Sequence, residues 1–107
     1  MNKKEPMPKI FEYLGIIIFF YSNEHEPIHV HASYGDFESK AEFHIVNGEI
    51  SEIRIKLVKD RKPLKGAQLK DFEKFLEIYA PKVVEKWVDY FVYHKDVVFE
   101  RITNKLK

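Results

Sequence analysis

The chain has 107 residues, of which 45% are hydrophobic and 15% aromatic, and its formal net charge is +1. This length fits one domain with a modest core, and the composition is far from that of disordered chains. The near-zero charge argues against a generic polyanion binder, which needs a clustered basic excess. There is no cysteine, secretory signal pattern or apolar run near the roughly 20 residues of a membrane helix, so we expect one cytoplasmic domain, 1–107.

The first half of the chain predicts four β-strands. The first covers Phe11–Tyr21, where β-branched and aromatic residues follow one another without polar alternation. Three further strands are predicted over Ile28–Tyr34, Phe37–Ile45 and Ile50–Leu57. Gly35-Asp36 and Asn47-Gly48 supply the turns of two hairpins, so this part of the sheet is antiparallel.

The alternation of apolar and polar residues predicts the register of these hairpins. A two-residue turn at Gly35-Asp36 pairs Tyr34 with Phe37, which places His31 opposite Lys40 and His29 opposite Glu42. For Ile53, Ile55 and Leu57 to join the apolar face, the second loop must have an odd length. The simplest such loop is Val46-Asn47-Gly48, with Gly48 in the left-handed region.

The second half of the chain predicts two helices. Apolar residues recur at helical spacing over Gln68–Tyr79, and Pro81 suits the first turn of a second helix that ends near Lys95 and buries Trp87. Val97–Phe99 forms either a short extra strand or coil, and the polar tail Asn104–Lys107 is expected to fray. The predicted fold is α+β, a mainly antiparallel four-stranded sheet followed by two C-terminal helices packed on one face.

Histidines are the most informative side chains in the sequence. Three of the five lie within seven residues, and the predicted register places several potential ligands on one sheet face or at its rim. The candidate metal ligands are His25, His29, His31, Glu42 and His44, for zinc or another divalent ion. The alternative interpretation is a wet polar face, with histidines hydrogen-bonded to neighbours such as Glu42 and Glu38.

A basic loop is the best candidate for polyanion binding. Its residues are Lys59, Arg61, Lys62, Lys65 and Lys70. Together with His29, His31 and Tyr34, which we expect to be exposed, it would form a face that contacts RNA or DNA. An ordinary solvated loop is the favoured interpretation, because the net charge is close to zero.

Two segments carry a family resemblance: Tyr13–Tyr21, reading YLGIIIFFY, and His25–Gly35, reading HEPIHVHASYG. They are similar to the pattern G-I-x-I-x-x-Y then H-x-P-P-H-x-H-A-x-Y-G of a small prokaryotic family, domain of unknown function 4160, with Ile28 in place of the second proline. Asn47-Gly48-Glu49, Trp87, Ile102 and Leu106 fit as well.

The resemblance assigns no catalytic residue, since the family has no settled activity. Its members are often encoded beside another small protein, which implies a paired, toxin–antitoxin-like system. We therefore expect an interaction module that forms a homodimer or binds a small partner protein encoded nearby. The alternative is a metal-dependent hydrolase or nuclease that uses the histidine face.

Overall fold

The computed structural model describes residues 8–23 and 27–107. The α+β class is confirmed, but the expected four strands and two helices are wrong, since these residues form a six-stranded mixed sheet and one helix. In chain order the elements are β1 (Lys9–Tyr13), β2 (Ile16–Phe19), β3 (His29–Tyr34), β4 (Phe37–Val46), β5 (Glu49–Leu57), α1 (Gly66–Phe91) and β6 (Glu100–Ile102). The strand order across the sheet is β5-β4-β3-β2-β1-β6.

The single first strand predicted over Phe11–Tyr21 is in fact the hairpin of β1 and β2. Its turn is Leu14-Gly15, where both residues have positive φ, 50° and 85°. Two consecutive left-handed residues are typical of the type I′ turn that best joins twisted antiparallel strands. Leucine rarely adopts this conformation, so the turn does not stand out inside the apolar run.

The predicted register of β3 and β4 is confirmed. Tyr34 pairs with Phe37, His31 with Lys40 and His29 with Glu42. Between β4 and β5, Phe43 pairs with Ile53, so Ile53 lies on the apolar face of the sheet as expected.

The odd-length loop between β4 and β5 is wrong. Val46 pairs with Glu49, so the loop contains only Asn47-Gly48, both with positive φ. The required shift of one residue comes from a bulge after His44, which leaves Ser51 opposite no single partner. The Ser51 hydroxyl donates to the His44 carbonyl oxygen at 3.1 Å.

The two helices predicted on either side of Pro81 are one continuous helix, α1, of 26 residues. An internal proline removes one backbone hydrogen bond and costs about 3 kcal/mol. The apolar stripe continues across Pro81 at helical spacing, and its burial offsets that cost; its residues are Phe72, Leu76, Ala80, Val83 and Trp87. Within the described chain, no helix is both long and apolar enough to cross a membrane.

Val97–Phe99, expected as a short strand or coil, is coil, and β6 begins at the next residue, Glu100. β6 runs parallel to β1 and pairs Tyr13 with Ile102. β5 and β6 form opposite ends of the sheet. The chain crosses from β5 to β6 through α1, which supplies the long connection that a parallel strand needs. The Leu106 amide donates to the Tyr13 hydroxyl at 2.8 Å, so this residue of the tail predicted to fray is held against the sheet.

The core lies between α1 and one face of the sheet. Phe11 and Phe75 meet edge to face with ring centroids 5.2 Å apart, and Trp87 is only 3% exposed. The helix packs mainly on β1 and β3. Ile55, which we expected in the core, is therefore 37% exposed at the uncovered β5 end.

Candidate functional site

The sheet face turned away from α1, here called the back face, holds the predicted histidine site. Strand pairing places His29 opposite Glu42, and Glu42 and His44 alternate along β4 on the same side. The predicted sharing of one face by His29, His31, Glu42 and His44 is thus confirmed by the register. His25 lies outside the described residues.

The expected exposure of His29 and His31 is wrong. His29 is 7% exposed and His31 only 2%, although no helix covers this face among the described residues. Aromatic rings pack on His31 instead: the Phe19 ring stacks on it at 5.5 Å, and Tyr21 meets it edge-on at 4.6 Å. These rings reach His31 because β2 pairs Phe19 directly with it.

A buried hydrogen-bonded pair lies at the centre of the back face. Nδ1 of His31 and Oε2 of Glu38 are 2.9 Å apart, and the two side chains are 2% and 3% exposed. An ionised carboxylate only accepts, so the imidazole N–H donates to it. The Tyr21 hydroxyl donates to the same carboxylate oxygen at 3.3 Å, and the Arg61 guanidinium lies 3.7 Å from the other oxygen. A buried carboxylate needs several such partners to offset its lost hydration.

His29 is oriented by a different acceptor. Its Nδ1 lies 2.7 Å from the carbonyl oxygen of Pro27, so Nδ1 carries the proton. The His29 and His31 rings are neighbours, with centroids 5.2 Å apart. In a metal-ligating histidine, the ring nitrogen that does not bind the metal usually donates a hydrogen bond to a carbonyl or carboxylate oxygen.

The other predicted ligands are in less enclosed surroundings. Glu42 pairs with Lys56 at 3.5 Å, and its side chain is 15% exposed. His44 is exposed and faces Glu52, whose pKa is lowered chiefly by its hydrogen bond from Arg54. Among residues 8–23 and 27–107, no three His, Cys, Asp or Glu side chains are grouped as a metal site.

The predicted basic loop contributes one residue to the back face. All five of its cations are exposed, but Arg61 alone among them is engaged with Glu38 in the described structure. The loop is tied to β4 because the Glu38 amide donates to the Lys62 carbonyl oxygen at 2.8 Å. Lys65 lies over the Phe37 ring instead, 5.4 Å from its centroid.

A cleft of about 270 Å³ opens over the buried carboxylate, and we call it the back-face cleft. Its lining includes Lys9, Phe19, Tyr21, Ser33, Glu38 and Arg61. Sequence reasoning named Glu38 only as a neighbour of the histidines and missed Lys9 and Tyr21. The register did contain the signal for Glu38, because it pairs with Ser33 and so lies diagonal to His31 on the same face.

Comparison with known proteins adds a family to this geometry. No curated protein and no solved structure matches the chain significantly. The model of a family described as a domain of unknown function, DUF4160, matches residues 15–88, which include β2 to β5, the histidine pair, Glu38, Arg61 and most of α1. Since the match covers more than half of the chain, the protein belongs to the DUF4160 family.

Proposed function

We propose that this protein is an interaction module of a paired, toxin–antitoxin-like system, and that it docks a small partner protein encoded nearby through β5. The observation that supports this is the position of β5 at the end of the sheet. No other strand in the described part of the chain pairs with its outer edge. A free edge offers a row of backbone donors and acceptors to which a partner strand adds.

Exposed side chains of β5 and of the adjoining end of β4 favour an apolar partner. Leu57 is 72% exposed, Val46 56% and Ile55 37%. Three charged residues of β5 are in ion pairs, Arg54 with Glu52 at 2.9 Å and Lys56 with Glu42 at 3.5 Å. The edge therefore lacks unpaired charges at these positions that would oppose strand addition.

The partner is expected to contribute a strand and an apolar surface that covers Ile55 and Leu57. A specific complex of this kind buries at least about 1,000 Å² in total. A second copy of the chain offers the same edge, so self-association is the competing occupant. Light scattering of the isolated protein distinguishes the two, because a homodimer through β5 forms without the neighbouring gene's product.

Substitution of Leu57 by lysine is expected to weaken partner binding by at least tenfold. The new charge would have to be buried without a counter-charge, which costs more than the roughly 1.4 kcal/mol of a tenfold change. Titration calorimetry with the purified product of the neighbouring gene measures the loss. Val98→Lys is the matched control, because Val98 is 69% exposed but lies near β6, at the other end of the sheet. Equal affinities of the two variants would contradict docking at β5.

The toxin–antitoxin part of the proposal has its own test in a bacterial host. Expression of one protein of the pair alone should slow growth, and co-expression of the other should relieve it. The Leu57→Lys variant should fail in this relief if complex formation is its cause. Unchanged growth with either protein alone would contradict the toxin–antitoxin role and leave the docking measurement to be judged separately.

A second candidate function is a metal-dependent hydrolase or nuclease, and the orientation of His29 supports it. The Pro27 carbonyl fixes the proton on Nδ1, so Nε2 of the neutral ring has the lone pair that a metal requires. His31 lies beside it, with Nδ1 directed to Glu38. His25 would have to complete the ligand set, with Glu42 or His44 as further ligands.

Zinc binding tests this second candidate. We expect one zinc ion per chain by elemental analysis, lost in His29→Ala and also in His25→Ala. Binding should weaken as pH falls through about 6.5, because the imidazoles must be neutral to ligate. His44→Ala is compared with these variants to show whether His44, which is exposed on the same face, is a further zinc ligand. The absence of stoichiometric zinc at neutral pH would contradict the candidate.

A further inference from the structure

The back-face cleft presents two cations above a carboxylate that is already satisfied. Glu38 is 3% exposed and receives hydrogen bonds from His31 and Tyr21 inside the protein. Lys9 and Arg61 line the same cleft and both are exposed. Because the carboxylate is shielded while the cations reach solvent, a ligand entering the cleft meets mainly positive charge.

Arg61 is held in place before any ligand arrives. Its Nη2 donates to the Asp36 carbonyl oxygen at 3.2 Å, and its Nη1 lies 3.7 Å from Glu38. The neighbouring Lys62 carbonyl accepts the Glu38 amide, which fixes the loop backbone on β4. A guanidinium positioned in this way loses less side-chain entropy on binding than a freely moving one.

Lys9 reaches the cleft from β1, on the same face of the sheet. Lys9 in β1 pairs with Phe19 in β2, whereas Arg61 lies in the loop after β5. The two cations therefore come from distant parts of the chain. Ser33 adds a hydroxyl to the lining between them. Two cationic side chains from different parts of the fold, together with a hydroxyl donor, suit an anion with three or more oxygens better than they suit a single carboxylate.

We propose that the back-face cleft binds the phosphate group of a phosphate ester, with Arg61 and Lys9 as its anchors. The cavity of about 270 Å³ has room for a phosphoryl group and part of the molecule that carries it. The carrier is either a small metabolite or a single-stranded nucleic acid, since both present the same chemical group. The site is distinct from the β5 edge and does not rest on partner docking.

Single substitutions distinguish phosphate binding in the cleft from general anion binding by the basic loop. Binding is followed by calorimetry with two probes, adenosine 5′-monophosphate and a short single-stranded RNA. Arg61→Ala and Lys9→Ala should each weaken binding by about tenfold to hundredfold, the range of a charge-assisted hydrogen bond. Lys59→Ala and Lys62→Ala are matched controls that remove other exposed cations from the same loop, and each should change affinity by less than about twofold.

The pattern of losses decides the outcome. Arg61→Lys, which keeps the charge without the planar fork, should retain part of the affinity. Binding of the mononucleotide identifies a small ligand, and binding of RNA alone identifies a nucleic acid. Equal losses in Arg61→Ala and Lys62→Ala, or no saturable binding of either probe, would overturn the proposal.

Discussion

Replacement of Trp87 by alanine is expected to lower the free energy of unfolding by about 3–5 kcal/mol, the range for a buried large aromatic residue. Trp87 is 3% exposed on α1, and its ring lies 4.8 Å from that of Phe91. It also follows Pro81, so its burial helps to keep the second half of α1 on the sheet. Urea denaturation monitored by circular dichroism measures the change.

Two further variants make this prediction specific. Trp87→Phe keeps most of the apolar surface and removes an indole N–H that has no acceptor among the described residues, so its cost should be less than half that of Trp87→Ala. Ile78→Ala lies on the same helix at 45% exposure and should change stability by about 0.5 kcal/mol or less. A Trp87→Ala protein as stable as Ile78→Ala would show that the helix does not depend on this contact.

The parts of the fold that could be predicted are determined by residues that are close together in the sequence. The turn at Gly35-Asp36 and the alternation of β3 and β4 are local, and they gave the pairing of His31 with Lys40 and the shared face of the histidines. The turn at Leu14-Gly15 was missed because a leucine at φ 50° has no sequence signal. The continuation of α1 through Pro81 was missed because tertiary packing outweighed a local preference.

The sheet face that carries His29 and His31 was predicted, but the burial of these two side chains was not. Burial of His31 depends on Phe19 and Tyr21, which reach it only because β2 pairs with β3. Arg61 reaches Glu38 from the loop after β5 and bonds to the carbonyl of Asp36, which is distant in sequence. Such contacts follow from the assembled sheet, so a single sequence read by local pattern predicts a wet face where the structure has a buried polar pair.

The buried pair leads to a different expectation for His31 than a wet face does. On a wet face His31→Ala would leave the fold intact, whereas here we expect His31→Leu and Glu38→Met each to destabilise by about 3–5 kcal/mol. Either substitution leaves a buried polar partner with a lost hydrogen bond at the centre of the sheet. Substitution of both residues leaves no member of the pair buried without its hydrogen-bond partner, because two apolar side chains of similar size then pack together.

A double-mutant cycle measures this coupling by denaturant unfolding of the two single variants and the double variant. The double variant should lose at least about 2 kcal/mol less than the sum of the single losses, within the range seen for contacting residues. The matched control is the Glu42 and Lys56 pair on the same face, which is 3.5 Å apart and has a lysine that is 45% exposed. Its cycle with methionine at both positions should give a coupling of about 0–1 kcal/mol, as exposed ion pairs do. Strict additivity for His31 and Glu38 would mean that their contact does not stabilise the back face, and the orientation of Arg61 over the cleft would then need another cause.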